Sequence, residues 1–215
     1  MLALLFSFVI ACSNAPEGQK VEAEEAKNAP NVQGQAMTYQ VNTDQSMVNW
    51  TGSKPTGQHT GTLKLSSGVI GVKDGNIVSG DFVFDMNSIK NTDLPAEKQG
   101  DLEGHLKTGD FFEVEKFPTG SFQITNVKAA AGEAGATHEI TGNLTLKGIT
   151  KSVTLPANVK MNDTMVSAAT PAFTIDRTEW DINFKSTAIG TLKDQAINDE
   201  IGLVLQIVAN AQPVQ

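Results

Sequence analysis

From Met37 onward, apolar and polar residues alternate with a period of two, and Gly, Asn, Asp and Pro break the runs. Such alternation puts one side-chain row on a buried face and the other in water, as expected of half-buried β-strands. Phe82, Phe84 and Met86 share one face, while Asp81 and Asp85 share the other. Phe122 and Ile124 form a second row, Ile140, Leu144 and Leu146 a third, and Val153, Leu155, Ala157 and Val159 a fourth. Phe173 with Ile175 makes a shorter row, and Ile201 to Val208 is apolar on both faces, which suggests a strand buried on both sides or an edge covered by other structure. Adding Val41–Trp50, Thr60–Leu65 and Val69–Val72 predicts about eight or nine strands, the pattern of an antiparallel sandwich or barrel.

Two stretches break the alternation. Ala96 to Thr108 carries Leu102, His105 and Leu106 at helical spacing, with Gly109 placed to end a helix. Ser186 to Asp199 has no two-residue rhythm and reads as a loop with a helical turn, and Ala129–Ala136 as a hairpin excursion. The expected architecture is all-β with one or two short helices.

The first 36 residues follow different rules. Leu2 to Ala11 is apolar except for Ser7 and is followed at once by Cys12. Ten residues are too few to cross a bilayer, which needs about 20, but they fit the apolar stretch of a secretory signal. Val9-Ile10-Ala11-Cys12 resembles a bacterial lipobox, in which the cysteine is lipid-modified and becomes the new N-terminus. No Lys or Arg precedes the run, a departure from the basic start of such signals. Ser13 to Ala36 holds no aromatic residue and only two valines, so it is expected to be a disordered tether. The division read from the sequence is therefore a signal peptide over 1–11, a lipidated Cys12 with a tether over 12–37, and a barrel domain over 38–215. This implies a membrane-anchored lipoprotein of the bacterial envelope, facing the periplasm or the cell surface.

Composition narrows the function. The formal net charge of −8 and the absence of a basic stripe argue against nucleic-acid binding. A single cysteine excludes an intramolecular disulfide and a cysteine-based zinc site. His59, His105 and His138 lie in separate segments without metal-ligand spacing, so no metal is expected. No nucleophile elbow, P-loop or dinucleotide fingerprint occurs, and neither a catalytic residue nor a cofactor is expected.

The segment His105-Leu106-Lys107-Thr108-Gly109-Asp110-Phe111-Phe112, continuing through Phe117-Pro118-Thr119, resembles a hallmark of the YceI-like family. Gly142 to Lys151 (GNLTLKGITK) resembles its second hallmark, and Tyr39–Trp50, Phe173–Arg177 and Asn198–Ile201 agree in order. The resemblance implies an extended lipocalin-like barrel of eight antiparallel strands that encloses a long isoprenoid. Trp50 and the Thr178–Asp181 turn with its Trp180 depart from the family pattern and add bulk near the expected cavity.

The residues expected to line a ligand are Trp50, Phe82, Phe84, Met86, His105, Phe111, Phe112, Phe117, Phe122, Leu144, Leu146, Phe173, Ile175 and Trp180. For each aliphatic or aromatic member of a row, core packing is the competing role. His105 is read first as a structural hydrogen-bonder and second as a head-group contact. Lys147, Thr150 and Lys151 form a turn that would meet either solvent or an anionic head group. Arg177 continues the inward row of Phe173 and Ile175 and needs a partner such as Asp81, Glu179 or Glu200. The expected partners are an apolar lipid of polyisoprenoid or quinone type and, through Cys12, the membrane; a homodimer is an open alternative. A barrel with a filled core serving as an envelope interaction module is the second functional reading, and a lipid-modifying hydrolase the third.

Overall fold

A computed structural model describes residues 15–30, 36–130 and 135–212. Among the described residues, twelve strands and one α-helix follow one another. They are β1 (Gln19–Val21), β2 (Glu24–Glu25), β3 (Met37–Val41), β4 (Met47–Lys54), β5 (Gly57–Lys73) and β6 (Asn76–Asn91). Then come α1 (Ala96–Leu106), β7 (Thr119–Ala129), β8 (His138–Leu146), β9 (Ile149–Met161), β10 (Met165–Ala169), β11 (Phe173–Asp176) and β12 (Glu200–Ala211).

Pairing closes these strands into a ring. From β4 the order runs antiparallel through β5, β6, β7, β8, β9, β10 and β12, and β12 returns to β4. Two positions in the ring are each built from two pieces. β3 and β4 both lie between β12 and β5, at opposite ends. β10 and β11 share the other side of β12. The result is an eight-position antiparallel barrel, the architecture expected from the alternation. Val41–Trp50, read as one strand, is interrupted at Asn42, whose side chain accepts from the backbone N–H groups of Asp44 and Gln45. Thr60–Leu65 and Val69–Val72, read as two strands, are one 17-residue strand with three register irregularities. Bulges of this kind let a long strand bend around a barrel.

The two hallmark segments have local physical causes. Lys147 and Gly148 both take positive φ, 48° and 75°, which makes the tight two-residue hairpin turn between β8 and β9. A Cβ on Gly148 would also lie 2.7 Å from the Phe117 ring, so glycine is required there twice over. After α1, the N–H groups of Phe111 and Glu113 donate to Thr108 O, and that of Phe112 to Leu106 O. This compact run of turns folds Phe111 and Phe112 back toward the barrel.

The barrel wall has a split, and the expectation of a disordered tether over 12–37 meets its correction there. β9 pairs with β10 only from Met161 back to Asn158, and beyond Pro171 the chain continues as β11 without touching β9's ladder. Proline lacks the N–H a ladder needs, and both lips of the split carry one, Pro156 on β9 and Pro171 before β11. Residues 16–27 fill the gap. β1 pairs parallel with β11, setting Val21 beside Ile175, and β2 pairs antiparallel with β9, setting Glu24 beside Ser152. Val21 is buried within the hydrophobic core cluster. Pro16 lies over Gly202 of β12, where an added Cβ would come within 2.7 Å of it. At the other end, Lys27 N donates to Asn143 Oδ1 (2.9 Å) and Asn143 Nδ2 donates to Lys27 O (2.7 Å). A segment too polar to fold alone is ordered because it completes a ladder and covers one seam.

Replacing Val21 by Asp is therefore expected to destabilise the whole barrel. Losing the burial of one valine, at about 1.5–3 kcal/mol, corresponds to a Tm decrease of roughly 3–12 °C for a domain of this size. Calorimetry that finds Tm unmoved would mean that the segment is apposed to the wall without supporting it.

Candidate functional site

The barrel interior is unequal along its length. At the end bearing the β5–β6 and β9–β10 turns, Tyr39, Val41, Ile70, Val72, Val159, Val166 and Ala209 are buried together, and Tyr39 Oη donates to Asn162 O at 3.0 Å. None of these belongs to the lining of the cavity in the other half. The other half is hollow, with a cavity of about 390 Å³, within the range of small-molecule sites.

Inward rows of all eight ring positions build its wall. Val48 and Trp50 come from β4, Leu63 from β5, Phe84, Met86 and Ile89 from β6, and Phe122 from β7. Leu144 and Leu146 come from β8, Val153 and Leu155 from β9, Phe173 and Ile175 from β11, and Ile201, Leu203 and Leu205 from β12. The mouth is framed by the helix side chains Leu102, His105 and Leu106, by Phe111 and Phe112, by the β4–β5 turn, and by the loop carrying Phe184 to Asn198. Phe111, Phe184 and His105 meet ring to ring, with centroids 5.0–5.4 Å apart and His105 edge-on to both phenyl rings. Edge-on packing sets the positive rim of one ring against the negative face of another. His105 is held from its far side as well, with Nε2 2.9 Å from Asp110 Oδ2. Its structural and cavity-facing roles thus coincide.

Of the residues expected to line a ligand, Trp50, Phe84, Met86, His105, Phe111, Phe112, Phe122, Leu144, Leu146, Phe173 and Ile175 all face this cavity. Three lie elsewhere. Phe82 is buried against Phe122, at 6.3 Å between centroids. Phe117 packs on the Gly148 turn with Lys116 Nζ over its ring. Trp180 is fully buried and donates its indole N–H to Leu144 O at 3.1 Å, without reaching the cavity. The bulk expected near the cavity from Trp180 therefore supports the end of β8, whereas that of Trp50 does narrow the interior. Cys12 lies outside the described residues.

Charged groups near the site are held in place. Arg177 is buried, and Asp199 is its partner (3.0 Å) in place of Asp81, Glu179 or Glu200. It also donates to the carbonyls of Ile182, Ile197 and Asn198. Burial pushes its pKa below the ordinary arginine value, and the carboxylates of Asp199 and Asp176 oppose that shift. His59 Nδ1 sits 2.9 Å from Asp93 Oδ2. Partial burial raises the Asp93 carboxyl, but bonds from His59, Thr60 N and Asn91 outweigh it and leave the pKa below the usual value. Lys147 and Lys151 do not reach the cavity. Lys147 donates to Asp181 O at 2.7 Å, and Lys151 lies 3.4 Å from Glu179 and 3.9 Å from Glu25. Among the described residues, no group of three or more His, Cys, Asp or Glu is placed to hold a metal.

Sequence reasoning missed Phe184, Lys185, Gln195, Ile197 and Asn198 as cavity residues. They sit in a loop that holds the expected helical turn, a 3-10 turn at Thr187–Ile189, and no strand, and periodicity is silent there.

The fold has relatives of known structure. BcnA of Burkholderia cenocepacia superposes with a TM-score of 0.61 at 21% identity, covering 79% of this chain and 99% of that one. A polyisoprenoid binding domain from Saccharophagus degradans gives 0.59 at 17% identity, covering 82% and 99%. A UPF0312 protein of Pseudomonas aeruginosa is 39% identical over 92 residues, 39% of this chain and 46% of the relative. Protein YceI of Salmonella newport is 38% identical over 88 residues, 37% of this chain and 44% of the relative. The chain thus spans less than half the length of the curated relatives it matches. The family model for the YceI-like domain matches residues 39–209, from the start of the barrel's broken first position almost to the end of β12, and the chain belongs to that family.

Proposed function

We propose that this protein binds a long apolar lipid of polyisoprenoid or quinone type inside its barrel and acts in the bacterial envelope as a carrier, buffer or stress-protective binder. The observation that carries the reading is the cavity of about 390 Å³, walled almost wholly by aliphatic and aromatic side chains and opening at one end. Such a wall offers a lipid chain burial at ~0.8 kcal/mol per methylene. A chain of about 20 carbons would gain ~16 kcal/mol gross, against association costs of ~4–15 kcal/mol. No charged contact is needed for binding. The Saccharophagus degradans neighbour is described as a polyisoprenoid binding domain, which supports the same class of ligand. A filled barrel used as an interaction module is not favoured, because half of the interior is open.

Cys12 is the proposed site of a lipid anchor. It stands four positions before Pro16, which already lies against β12. At ~3.3–3.6 Å per extended residue, the anchor reaches at most about 14 Å from that contact. An anchored barrel is thus held close to the bilayer, without the long spacer expected from the sequence.

Organic extraction of the purified protein followed by mass spectrometry should recover a prenyl lipid or quinone. Adding such a lipid at about 100 times its Kd should raise Tm by roughly 5–11 °C. Leu205→Trp, which fills the cavity from β12, should abolish that shift. An interior found empty after every preparation and indifferent to added prenyl lipids would overturn the proposal. Separately, Cys12→Ser should leave the barrel folded and move it from the membrane to the soluble envelope fraction. Fractionation that finds it still on the membrane would remove the anchor from the reading.

A further inference from the structure

The side chains lining the cavity include bases and no acid. The chain carries 24 Asp and Glu against 16 Lys and Arg, yet the lining includes Lys54, His59, His105, Arg177 and Lys185 and no carboxylate. Three of the five are committed, His59 to Asp93, His105 to Asp110 and Arg177 to Asp199. Lys54 and Lys185 make no ion pair with any carboxylate among the described residues.

These two lysines are held on one rim. Asn198 N donates to Ser53 O at 2.8 Å, which ties the end of β4 to the loop. The neighbouring Ile197 N donates to Lys185 O at 2.9 Å. Two successive loop residues thus link the backbone beside Lys54 to that of Lys185. Lys185 takes φ of 50°, a left-handed conformation that is costly for a side chain other than glycine or asparagine and that recurs at ligand sites. Its Nζ lies 5.5 Å from the centroid of the Phe184 ring, itself part of the wall. An ammonium over an aromatic face is held by the ring quadrupole but keeps its donors for another partner.

We infer that the mouth is an anion subsite and that the lipid is an amphiphile, its apolar chain in the barrel and its anionic head group, a carboxylate or a phosphate, between Lys54 and Lys185. This rests on the lipid-binding reading and adds the chemistry of the head. Lysine suits the task, because a flexible stem lets a point charge follow a head group of either shape. The net negative charge elsewhere makes the lysine pair a local attractor at the mouth, and head-group attraction there must weaken with salt.

The test uses the full chain and three probes with the same 16-carbon chain: palmitic acid, its methyl ester and hexadecyl phosphate, each below its aggregation concentration. Calorimetric titration at low salt should show at least one anionic probe binding about tenfold more tightly than the ester. That preference should shrink at high salt, and it should disappear in K54Q/K185Q. Preference for the acid alone assigns the source of the charge to a carboxylate, and preference for the phosphate alone assigns it to a phosphate. Equal affinity for all three probes, or a preference that survives K54Q/K185Q, overturns the subsite while the lipid reading stands. A protein that binds none of the three yet is stabilised by an added prenyl lipid overturns the subsite alone, and one that responds to neither overturns both.

Discussion

Closure of the sheet is the constraint on which everything else depends. An open edge leaves a row of N–H and C=O groups without partners, and a barrel removes that liability only if the ring is complete. Here the eight positions do not complete it unaided, because β9 and β11 part beside the cavity-lining Val153, Leu155, Phe173 and Ile175. The short β1 and β2 ladders supply the missing hydrogen bonds, and Val21 supplies the missing apolar side chain. Stability of the ring and enclosure of the cavity are thereby joined. The segment that pairs the loose edges also separates the lumen from solvent along that seam.

The barrel was legible because a half-buried strand must alternate, and nearly every row read from the sequence became a wall of the interior. The hallmark residues were legible for a different reason. Lys147-Gly148 and the turns around Thr108 to Val114 impose special backbone angles, so few residue types serve there. The role of residues 16–27 was not legible, since polar composition argues only that a segment cannot fold by itself. A signal was nonetheless present. Pro156 and Pro171 each sit where an unbroken interior strand would be expected, and proline in such a place marks an edge that some other segment must address.

Periodicity likewise could not separate the filled half of the barrel from the hollow half. The row Leu155, Ala157, Val159 on β9 runs from cavity wall into packed core without any change in pattern. What differs is the partner across the lumen. Tyr39 and Val41 enter at one end through β3, whereas at the other end β4 brings Val48 and Trp50 to the rim of an open space. The break at Asn42 gives the two pieces separate positions in the ring. Large aromatic side chains followed the same logic. Phe84 and Phe122 face the lumen, while Trp180 is consumed in supporting β8 through its bond to Leu144 O.

The mouth poses the remaining physical problem, because residues 182–199 contain little regular structure yet frame the cavity entrance. Their order traces to Arg177. A planar guanidinium can donate in several directions from a fixed fork, and here it gathers the carbonyls of Ile182, Ile197 and Asn198 while pairing with Asp199. Asp199 in turn accepts from Ser186 Oγ at 2.9 Å, so the ion pair of a buried arginine with a half-buried carboxylate anchors the start, the middle and the end of the loop. A lysine could not make these contacts together, and a neutral residue would leave the carbonyls and the Asp199 carboxylate unsatisfied. The cation that the sequence placed on an inward row is therefore spent on the loop. With its charge so committed, the free positive charge at the entrance is left to Lys54 and Lys185, which the same loop holds in place.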